Sequence, residues 1–251
     1  MNTVEEKAVQ EDVVVDGLNI TAHLAVIEDR GYTIVPNFIS SAEVARIKHA
    51  FNTEVPITEM RAIGTATGRT WRAHNLLAKT RAVDNIFLDR RLRTLVQGLL
   101  NDRSQVNVTT LFNTLPGETK QFLHQDDGLW PIPRPHPHFL CNALIALDDF
   151  DVENGATHLV PYSHKWHDRP VDQTVDTIQV TMKAGSAVFW AGAMWHAGGA
   201  NTSSRERMGL FMSHAVSYLR PQEIQLLSIP PEMVRAMPER LQRLVGYNKF
   251  G

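Results

Sequence analysis

The chain has 251 residues, of which 43% are hydrophobic and 21% are charged, and this composition is typical of a globular protein with an ample core. Its 25 Lys and Arg residues against 27 Asp and Glu leave a formal net charge of −2, so no overall positive field would attract nucleic acid or an anionic membrane. No stretch approaches the ~18 apolar residues of a membrane span, and the first residues lack the pattern of a signal peptide. These features predict a cytoplasmic protein whose partner is a small molecule.

The first hundred residues have mainly helical patterns. One predicted helix ends at Gly31, because glycine accepts the left-handed conformation that closes many helices. A second begins at Ser40, which has capping-box spacing to Glu43. A third amphipathic helix is predicted over residues 84–100. Between the last two, residues 57–72 form an arginine-containing loop or short hairpin, which is a candidate lid.

Short β-rich runs dominate from residue 106 onward. The strand candidates are residues 32–35 in the N-terminal part and residues 106–115, 139–147, 177–182, 186–190 and 207–216 beyond it. Four prolines make residues 130–138 a stiff irregular loop. Helices, then strands, then a helical end predict a mainly β fold with flanking helices, whose core is a double-stranded β-helix of the jelly-roll or cupin-like type.

We expect a single domain over residues 1–251. Its predicted parts are a flexible start (1–16), a helical N-terminal part (17–105), the jelly-roll core (106–216) and a helical tail (217–251). The apolar stripe of the tail could pack on the same chain or on a partner, so a homodimer is possible. The single cysteine, Cys141, lies in an apolar run and is predicted to be a buried, reduced thiol.

His124 and Asp126 are the central pair of candidate metal ligands. On a strand, residues two apart project to the same face, so this pair would offer two ligands to one metal ion. His196, which follows an apolar run about seventy residues later, is a candidate third ligand. A set of two histidines and one carboxylate leaves one face of an octahedron open, as in non-haem Fe(II) oxygenases. Taken alone, the His124–Asp126 pair could equally be a solvated turn.

Arg207 opens the apolar strand that follows His196. A guanidinium is always charged and presents paired donors matched to a carboxylate, so Arg207 is a candidate clamp for an anionic cosubstrate. Arg205 lies on the same face by strand alternation, and periodicity does not choose between the two. A charge at the surface end of the strand is the alternative for either arginine.

Several stretches, taken in order, carry a family resemblance. They are residues 31–38 (GYTIVPNF), the His-Gln-Asp triplet 124–126, residues 146–150 with 153–157, residues 161–164 (PYSH), and Trp195-His196 with Arg207. The chain resembles the phytanoyl-CoA dioxygenase family of Fe(II)- and 2-oxoglutarate-dependent oxygenases, which are built on the double-stranded β-helix. It departs from the family at Tyr162, where glycine is usual, and this change affects a turn and not the metal ligands.

The resemblance implies a set of cofactors and residue roles. The implied cofactors are Fe(II), 2-oxoglutarate as cosubstrate and O2. The implied iron ligands, which are also the catalytic residues, are His124, Asp126 and His196; the implied cosubstrate residues are Arg207, in preference to Arg205, with Gln121, Thr157 and Arg72. Related halogenases replace the carboxylate ligand with a small residue to admit chloride, so Asp126 favours hydroxylation or another oxygenase outcome.

Trp130, Asn142 and His136 are the candidate substrate-binding residues, because they lie in or near the proline-rich loop and the apolar strand after it. Asn142 could equally be a hydrogen-bonded core residue, and His136 could be exposed to solvent. The predicted reaction hydroxylates or otherwise oxidises a small, largely hydrophobic organic molecule resembling a secondary metabolite, and releases succinate and CO2. Two alternatives remain: a catalytically inactive cupin-like protein that binds metal or ligand, and another metal-dependent enzyme on the same barrel.

Overall fold

The protein is described by a computed structural model that covers residues 12–55, 61–62, 67–100, 104–167 and 171–247. These residues form the strands β1 (Val14–Val15), β2 (Leu18–Asn19), β3 (Tyr32–Val35), β4 (Arg61–Ala62), β5 (Thr70–His74), β6 (Ser104–Thr114), β7 (Leu140–Ala146), β8 (His158–Leu159), β9 (Ile178–Gln179), β10 (Ala187–Ala191), β11 (His196–Ala197) and β12 (Arg207–Val216). Seven of them form an antiparallel sheet in the order β3-β10-β7-β12-β6-β5-β4. Three short strands form a second sheet in the order β11-β8-β9, and β1 pairs with β2.

A small apolar cluster lies between the large and the small sheet. Leu144 and Trp190 from the large sheet pack with Leu159 of the small sheet, and all three are buried. Two sheets joined by such a cluster confirm the predicted double-stranded β-helix with flanking helices. The space between the sheets is where side chains distant in sequence converge.

Helices cover the opposite face of the large sheet. They are α1 (Ile20–Arg30), α2 (Ser41–Thr53), α3 (Asp84–Phe87), α4 (Arg90–Leu100), α5 (Gln225–Ser228), α6 (Pro231–Ala236) and α7 (Glu239–Leu244). The predicted helix end at Gly31 is confirmed, since this glycine has φ 94° and its N–H donates to the Ile27 carbonyl. The capping box is confirmed as well, because Ser40 and Glu43 each bond the other's backbone N–H. None of the described helices has the length and apolar character needed to cross a membrane.

The prediction of one helix over residues 84–100 is wrong, because the chain breaks between α3 and α4. The Asp89 side chain accepts hydrogen bonds from the backbone N–H groups of Arg91 and Leu92, at 2.8 and 3.2 Å. An aspartate that bonds the first free N–H groups of a helix starts a new helix at that point. The apolar stripe continues across the break, which is why the sequence pattern resembles one helix.

Strands from the predicted helical part complete the large sheet. β3 pairs with β10 at one edge, and β5 pairs with β6 towards the other, so the boundary at residue 105 separates regions in sequence but not in space. Residues 56–60 and 63–66 of the candidate lid lie outside the described residues; β4, between them, pairs with β5 as a hairpin. In the tail, Val234 and Leu241 are buried in the main core of the same chain. Cys141 is buried, and burial raises the pKa of its thiol to about 12.

Candidate active site

A backbone bridge brings His124 and His196 together. The N–H of each residue donates to the carbonyl of the other, at 2.9 and 3.0 Å, and their rings lie with centroids 4.3 Å apart. The sequence pattern predicts Asp126 on one strand with His124. In the structure Asp126 instead begins a 3-10 turn over Asp126–Leu129. The turn, and not strand alternation, directs the carboxylate back towards the two imidazoles.

The three side chains converge on one point. Asp126 Oδ1 lies 3.8 Å from His124 Nε2, and Asp126 Oδ2 lies 3.4 Å from His196 Nε2. One ligand atom from each residue lies within 4.8 Å of the others, which is close enough for this group to hold a metal ion. Two imidazole nitrogens and one carboxylate are the donor set of an octahedral site with open positions.

Both histidines present Nε2 towards that point because their other ring nitrogen is already bonded. Nδ1 of His124 lies 3.0 Å from the Phe122 carbonyl, and Nδ1 of His196 lies 2.9 Å from the Met194 carbonyl. A carbonyl only accepts, so Nδ1 carries the proton and Nε2 keeps a lone pair for a metal. Burial lowers the pKa of His196, against the opposing effect of Asp126, and this favours the neutral ligand form.

A cavity of about 230 Å3 opens from this triad into the space between the sheets. Its lining joins all three candidate ligands to all four predicted cosubstrate residues. The described residues around it are Thr70, Arg72, His74, Val108, Thr110, Phe112, Thr114, Glu118, Thr119, Gln121, His124, Asp126, Leu144, Thr157, Trp190, His196, Gly198, Gly199, Arg207, Phe211 and Gln222.

Arg207 is a buried cation in the wall of this cavity, with 3% of its surface exposed. Its Nε donates to the Asn154 carbonyl at 3.0 Å and its Nη2 to Thr114 Oγ1 at 3.2 Å, whereas its buried Nη1 has no hydrogen-bond partner. Burial, together with the nearby Arg72 charge, lowers the pKa of Arg207 to about 9. A buried guanidinium with a spare donor suits a carboxylate, so the residues present fit 2-oxoglutarate.

Arg205 has a different environment, although alternation could not separate it from Arg207. It is exposed, and its Nη2 lies 2.6 Å from Asp151 Oδ2. Its charge is therefore satisfied at the surface, while that of Arg207 faces the cavity.

The remaining predicted cosubstrate residues also reach the cavity. Gln121 accepts a hydrogen bond from the Gly198 N–H at 2.8 Å, and Thr157 is buried. The pKa of Arg72 is lowered by burial and partly restored by the Glu118 carboxylate. Arg72 and Arg207 are therefore two cationic side chains in one partly buried wall, and their charges favour an anionic ligand there.

None of the three predicted substrate-binding residues is among the described residues that line the cavity. Trp130 and His136 both pack against Phe139, with ring centroids 5.9 and 4.6 Å away. Asn142 is buried, and its Nδ2 donates to Asp126 Oδ2 at 2.8 Å. The structure thus places Asn142 behind a candidate metal ligand, and the two ring residues within the proline-rich loop.

Sequence reasoning missed several polar residues of the cavity wall, among them His74 and Gln222. His74 follows Arg72 by two positions on β5, so strand alternation starting from Arg72 could have found it. Gln222 lies beyond the end of β12, and no sequence signal brings it to the cavity.

A jelly roll that holds two histidines, a carboxylate and a buried arginine around one cavity defines the class of non-haem metal-dependent oxygenases. The sequence profile of the phytanoyl-CoA dioxygenase (PhyH) family matches residues 27–209. The chain therefore belongs to that family, whose members are Fe(II)- and 2-oxoglutarate-dependent dioxygenases.

Several curated relatives are fungal dioxygenases. The chain is 30% identical to dioxygenase cdmA of Talaromyces verruculosus over 188 residues, which cover 73% of this chain and 61% of the relative. It is 27% identical to dioxygenase FUM3 of Gibberella moniliformis over 243 residues, covering 88% and 80% of the two chains. The matches to the first five relatives span 46% to 61% of those proteins' lengths.

Solved structures with the same fold include SnoN and HygX. The epimerase SnoN from nogalamycin biosynthesis superposes with a TM-score of 0.71 at 20% identity, covering 83% of this chain and 88% of SnoN. HygX from Streptomyces hygroscopicus, with nickel, 2-oxoglutarate and hygromycin B bound, has a TM-score of 0.68 at 16% identity, covering 80% and 88%. At this level of identity the likeness establishes the fold alone.

Proposed function

We propose that this protein is an Fe(II)- and 2-oxoglutarate-dependent dioxygenase that hydroxylates or otherwise oxidises a small, largely hydrophobic organic molecule. The observation that carries the proposal is one cavity with a candidate metal-binding triad in its wall and a buried arginine with a spare donor, Arg207, in the same wall. A cupin-like binding protein would need the metal ligands, but metal binding alone does not require a buried arginine that can bind a carboxylate beside them.

His124, Asp126 and His196 would hold the iron, and Arg207 would hold the distal carboxylate of 2-oxoglutarate. The Thr114 hydroxyl and the Asn154 carbonyl fix the Arg207 guanidinium in place, so its orientation is set before the ligand arrives. When bound, the iron and the keto acid supply O2 activation coupled to decarboxylation, with succinate and CO2 as products. Gln121, Thr157 and Arg72 line the same cavity as the arginine and the triad.

The apolar part of the wall supports a largely hydrophobic substrate. Val108, Phe112, Leu144 and Phe211 line the cavity, and burying apolar ligand surface against them would contribute about 25 cal/mol per Å2. HygX and SnoN, which share the fold, have been solved with hygromycin B and nogalamycin RO; both ligands are small organic molecules. A natural product of comparable type is the substrate class that we propose.

Anaerobic absorption spectroscopy tests this function without knowledge of the substrate. Addition of Fe(II) and then 2-oxoglutarate to the purified chain should produce a weak visible charge-transfer band, and later exposure to O2 should produce succinate. His124→Ala should abolish both signals, while His49→Ala, which changes an exposed helix residue, should leave them unchanged. Binding of neither iron nor 2-oxoglutarate by the wild-type chain would refute the proposal.

A further inference from the structure

The cavity wall carries further polar side chains besides the candidate metal ligands and the predicted cosubstrate residues, among them His74 and Gln222. On the wall formed by β5 and β6, Thr70 pairs with Thr114, Arg72 with Phe112, and His74 with Thr110. Thr114 also pairs with Arg207. His74 and Thr110 therefore lie four residues along the strands from the level of Arg207, about 13 Å away at ~3.3 Å per residue.

His74 is held by a buried carboxylate. Glu223 is 8% exposed, and its Oε1 lies 3.6 Å from His74 Nδ1. The same carboxylate accepts hydrogen bonds from the backbone N–H groups of Asn75 and Thr109 and from the side chain of Gln225, at 2.9 to 3.0 Å. These bonds fix the carboxylate in position, and it in turn orients the ring.

The neighbours of His74 decide which ring nitrogen carries the proton. Nδ1 lies 3.0 Å from Thr110 Oγ1 as well as close to Glu223. The Thr110 hydroxyl can donate or accept, but a lone pair on Nδ1 would face the Glu223 carboxylate and be repelled by it, and this favours the proton on Nδ1. Nε2 then keeps a lone pair, and no described residue forms a hydrogen bond to it. His74 therefore presents a hydrogen-bond acceptor.

Gln222 is oriented by a similar chain of constraints. Its backbone N–H donates to Asn107 Oδ1 at 2.8 Å, so the amide nitrogen of Asn107 must face the other way. That nitrogen donates to Gln222 Oε1, also at 2.8 Å. The Nε2 group of Gln222, a donor, is consequently left without a partner among the described residues. Gln222 is exposed and His74 is half-buried, and both line the cavity.

We propose that His74 and Gln222 together bind a hydroxyl group of the substrate. A hydroxyl both donates and accepts, so it can satisfy the acceptor of His74 and the donor of Gln222 at the same time. A carbonyl would satisfy only Gln222, and a methyl ether could not donate to His74. The cavity wall is also apolar at Val108 and Phe211, so the rest of the substrate is a hydrophobic body. This inference rests on the proposed oxygenase function and names its substrate class more closely: an apolar alcohol.

A contact of this kind would position the substrate and take no part in the oxidation. Binding energy from a non-reacting group of the substrate fixes the orientation of the atom that reacts. His74 and Gln222 are accordingly positioning residues. Their loss should weaken selection among ligands without weakening the binding of 2-oxoglutarate at Arg207.

The test uses a panel of rigid apolar small molecules arranged as matched alcohols and methyl ethers, including 1-adamantanol and 1-methoxyadamantane. Binding is measured by ligand-observed NMR with the full chain loaded anaerobically with Fe(II) and 2-oxoglutarate. The wild type should favour the alcohols over their ethers by ~3- to 10-fold in Kd, as expected for a hydrogen bond lost on methylation. We expect the preference to be lost in His74→Ala and in Gln222→Ala. The variant His74→Gln keeps an acceptor and should retain part of the preference. The exposed-residue control His49→Ala should retain all of it.

The same samples separate failure of this inference from failure of the proposed function. The visible band of the loaded enzyme reports iron and 2-oxoglutarate independently of the panel. A normal band with no alcohol preference in the wild type, or with a preference that survives both alanine variants, would refute the hydroxyl site and leave the oxygenase function standing. Absence of the band in the wild type would instead contradict the function itself. Circular dichroism and the band in each variant verify that the fold is retained.

Discussion

Asn142 Nδ2 donates a hydrogen bond of 2.8 Å to Oδ2 of Asp126. Asn142 is fully buried on β7, so the large sheet itself fixes the position of the carboxylate in the candidate metal site. The same oxygen of Asp126 lies 3.4 Å from Nε2 of His196. The asparagine thus orients a ligand without touching the metal position itself, as outer-shell groups in metal sites commonly do.

Removal of this hydrogen bond should weaken the metal site. We expect Asn142→Ala to lower Fe(II) affinity ~10- to 100-fold, the range typical when a ligand loses its supporting partner. An anaerobic iron titration followed by the 2-oxoglutarate band measures this. Asn113→Ala, which removes a half-buried amide bonded to Glu206, is the matched control. Unchanged iron affinity in Asn142→Ala would show that the 3-10 turn alone orients Asp126.

The two arginines near the start of β12 form a natural pair for testing the cosubstrate site. Arg207→Leu should raise the Kd for 2-oxoglutarate at least ~10-fold, because a charge-assisted hydrogen bond contributes about 1.5–3 kcal/mol. Arg205→Leu should leave the Kd unchanged, since that side chain pairs with Asp151 at the surface. Titration of 2-oxoglutarate into the anaerobic Fe(II) form measures both. Equal effects of the two substitutions would contradict the assignment of Arg207.

His214 should make the fold sensitive to acid. It is buried, its Nδ1 has no hydrogen-bond partner, and burial lowers its pKa to about 4. Since the unfolded chain binds this proton with a pKa near 6.5, unfolding takes up a proton between pH 6.5 and 4, and stability falls as the pH drops through that window. The contribution lost is about 3 kcal/mol, at 1.36 kcal/mol per unit of pKa difference.

Denaturant unfolding at several pH values checks this expectation. His214→Phe keeps a ring beside Phe87, whose centroid lies 5.8 Å away, and should flatten the loss of stability between pH 6.5 and 4. His49→Ala, at an exposed position, should keep the wild-type slope. Parallel pH profiles for wild type and His214→Phe would show that other groups cause the acid sensitivity.

Glu223 should be a strong contributor to stability. Its carboxylate accepts from the backbone N–H groups of Asn75 and Thr109, from the Thr109 hydroxyl and from the Gln225 amide. Glu223→Ala would leave several buried donors without partners, and we expect a loss of about 2–4 kcal/mol in the free energy of unfolding. Urea denaturation measures it, with Glu206→Ala as the exposed control. A loss below about 0.5 kcal/mol, the range of ordinary surface substitutions, would contradict this account.

Local patterns in the sequence predicted the elements that depend on neighbouring residues. The capping box at Ser40 and the helix end at Gly31 are set by backbone groups three or four positions away, so their signals are complete within a short window. The separation of α3 from α4 escaped prediction because the Asp89 cap competes with an apolar stripe that runs on unbroken. The family resemblance supplied the ligand roles, which periodicity alone left open.

The sequence by itself determined the ligand types, the strand-rich core and the family. The family resemblance preferred Arg207 to Arg205, but only the tertiary structure showed that Arg207 is buried in the cavity wall while Arg205 is exposed. It also showed that Asn142 bonds Asp126 and does not line the cavity, and that His74 and Gln222 line one cavity. The physical reason is that strand alternation fixes which face a residue occupies but not what lies across from that face. Those contacts depend on how β5, β6, β7 and β12 pair in the large sheet, and on a turn at Asp126 that has no periodic signature.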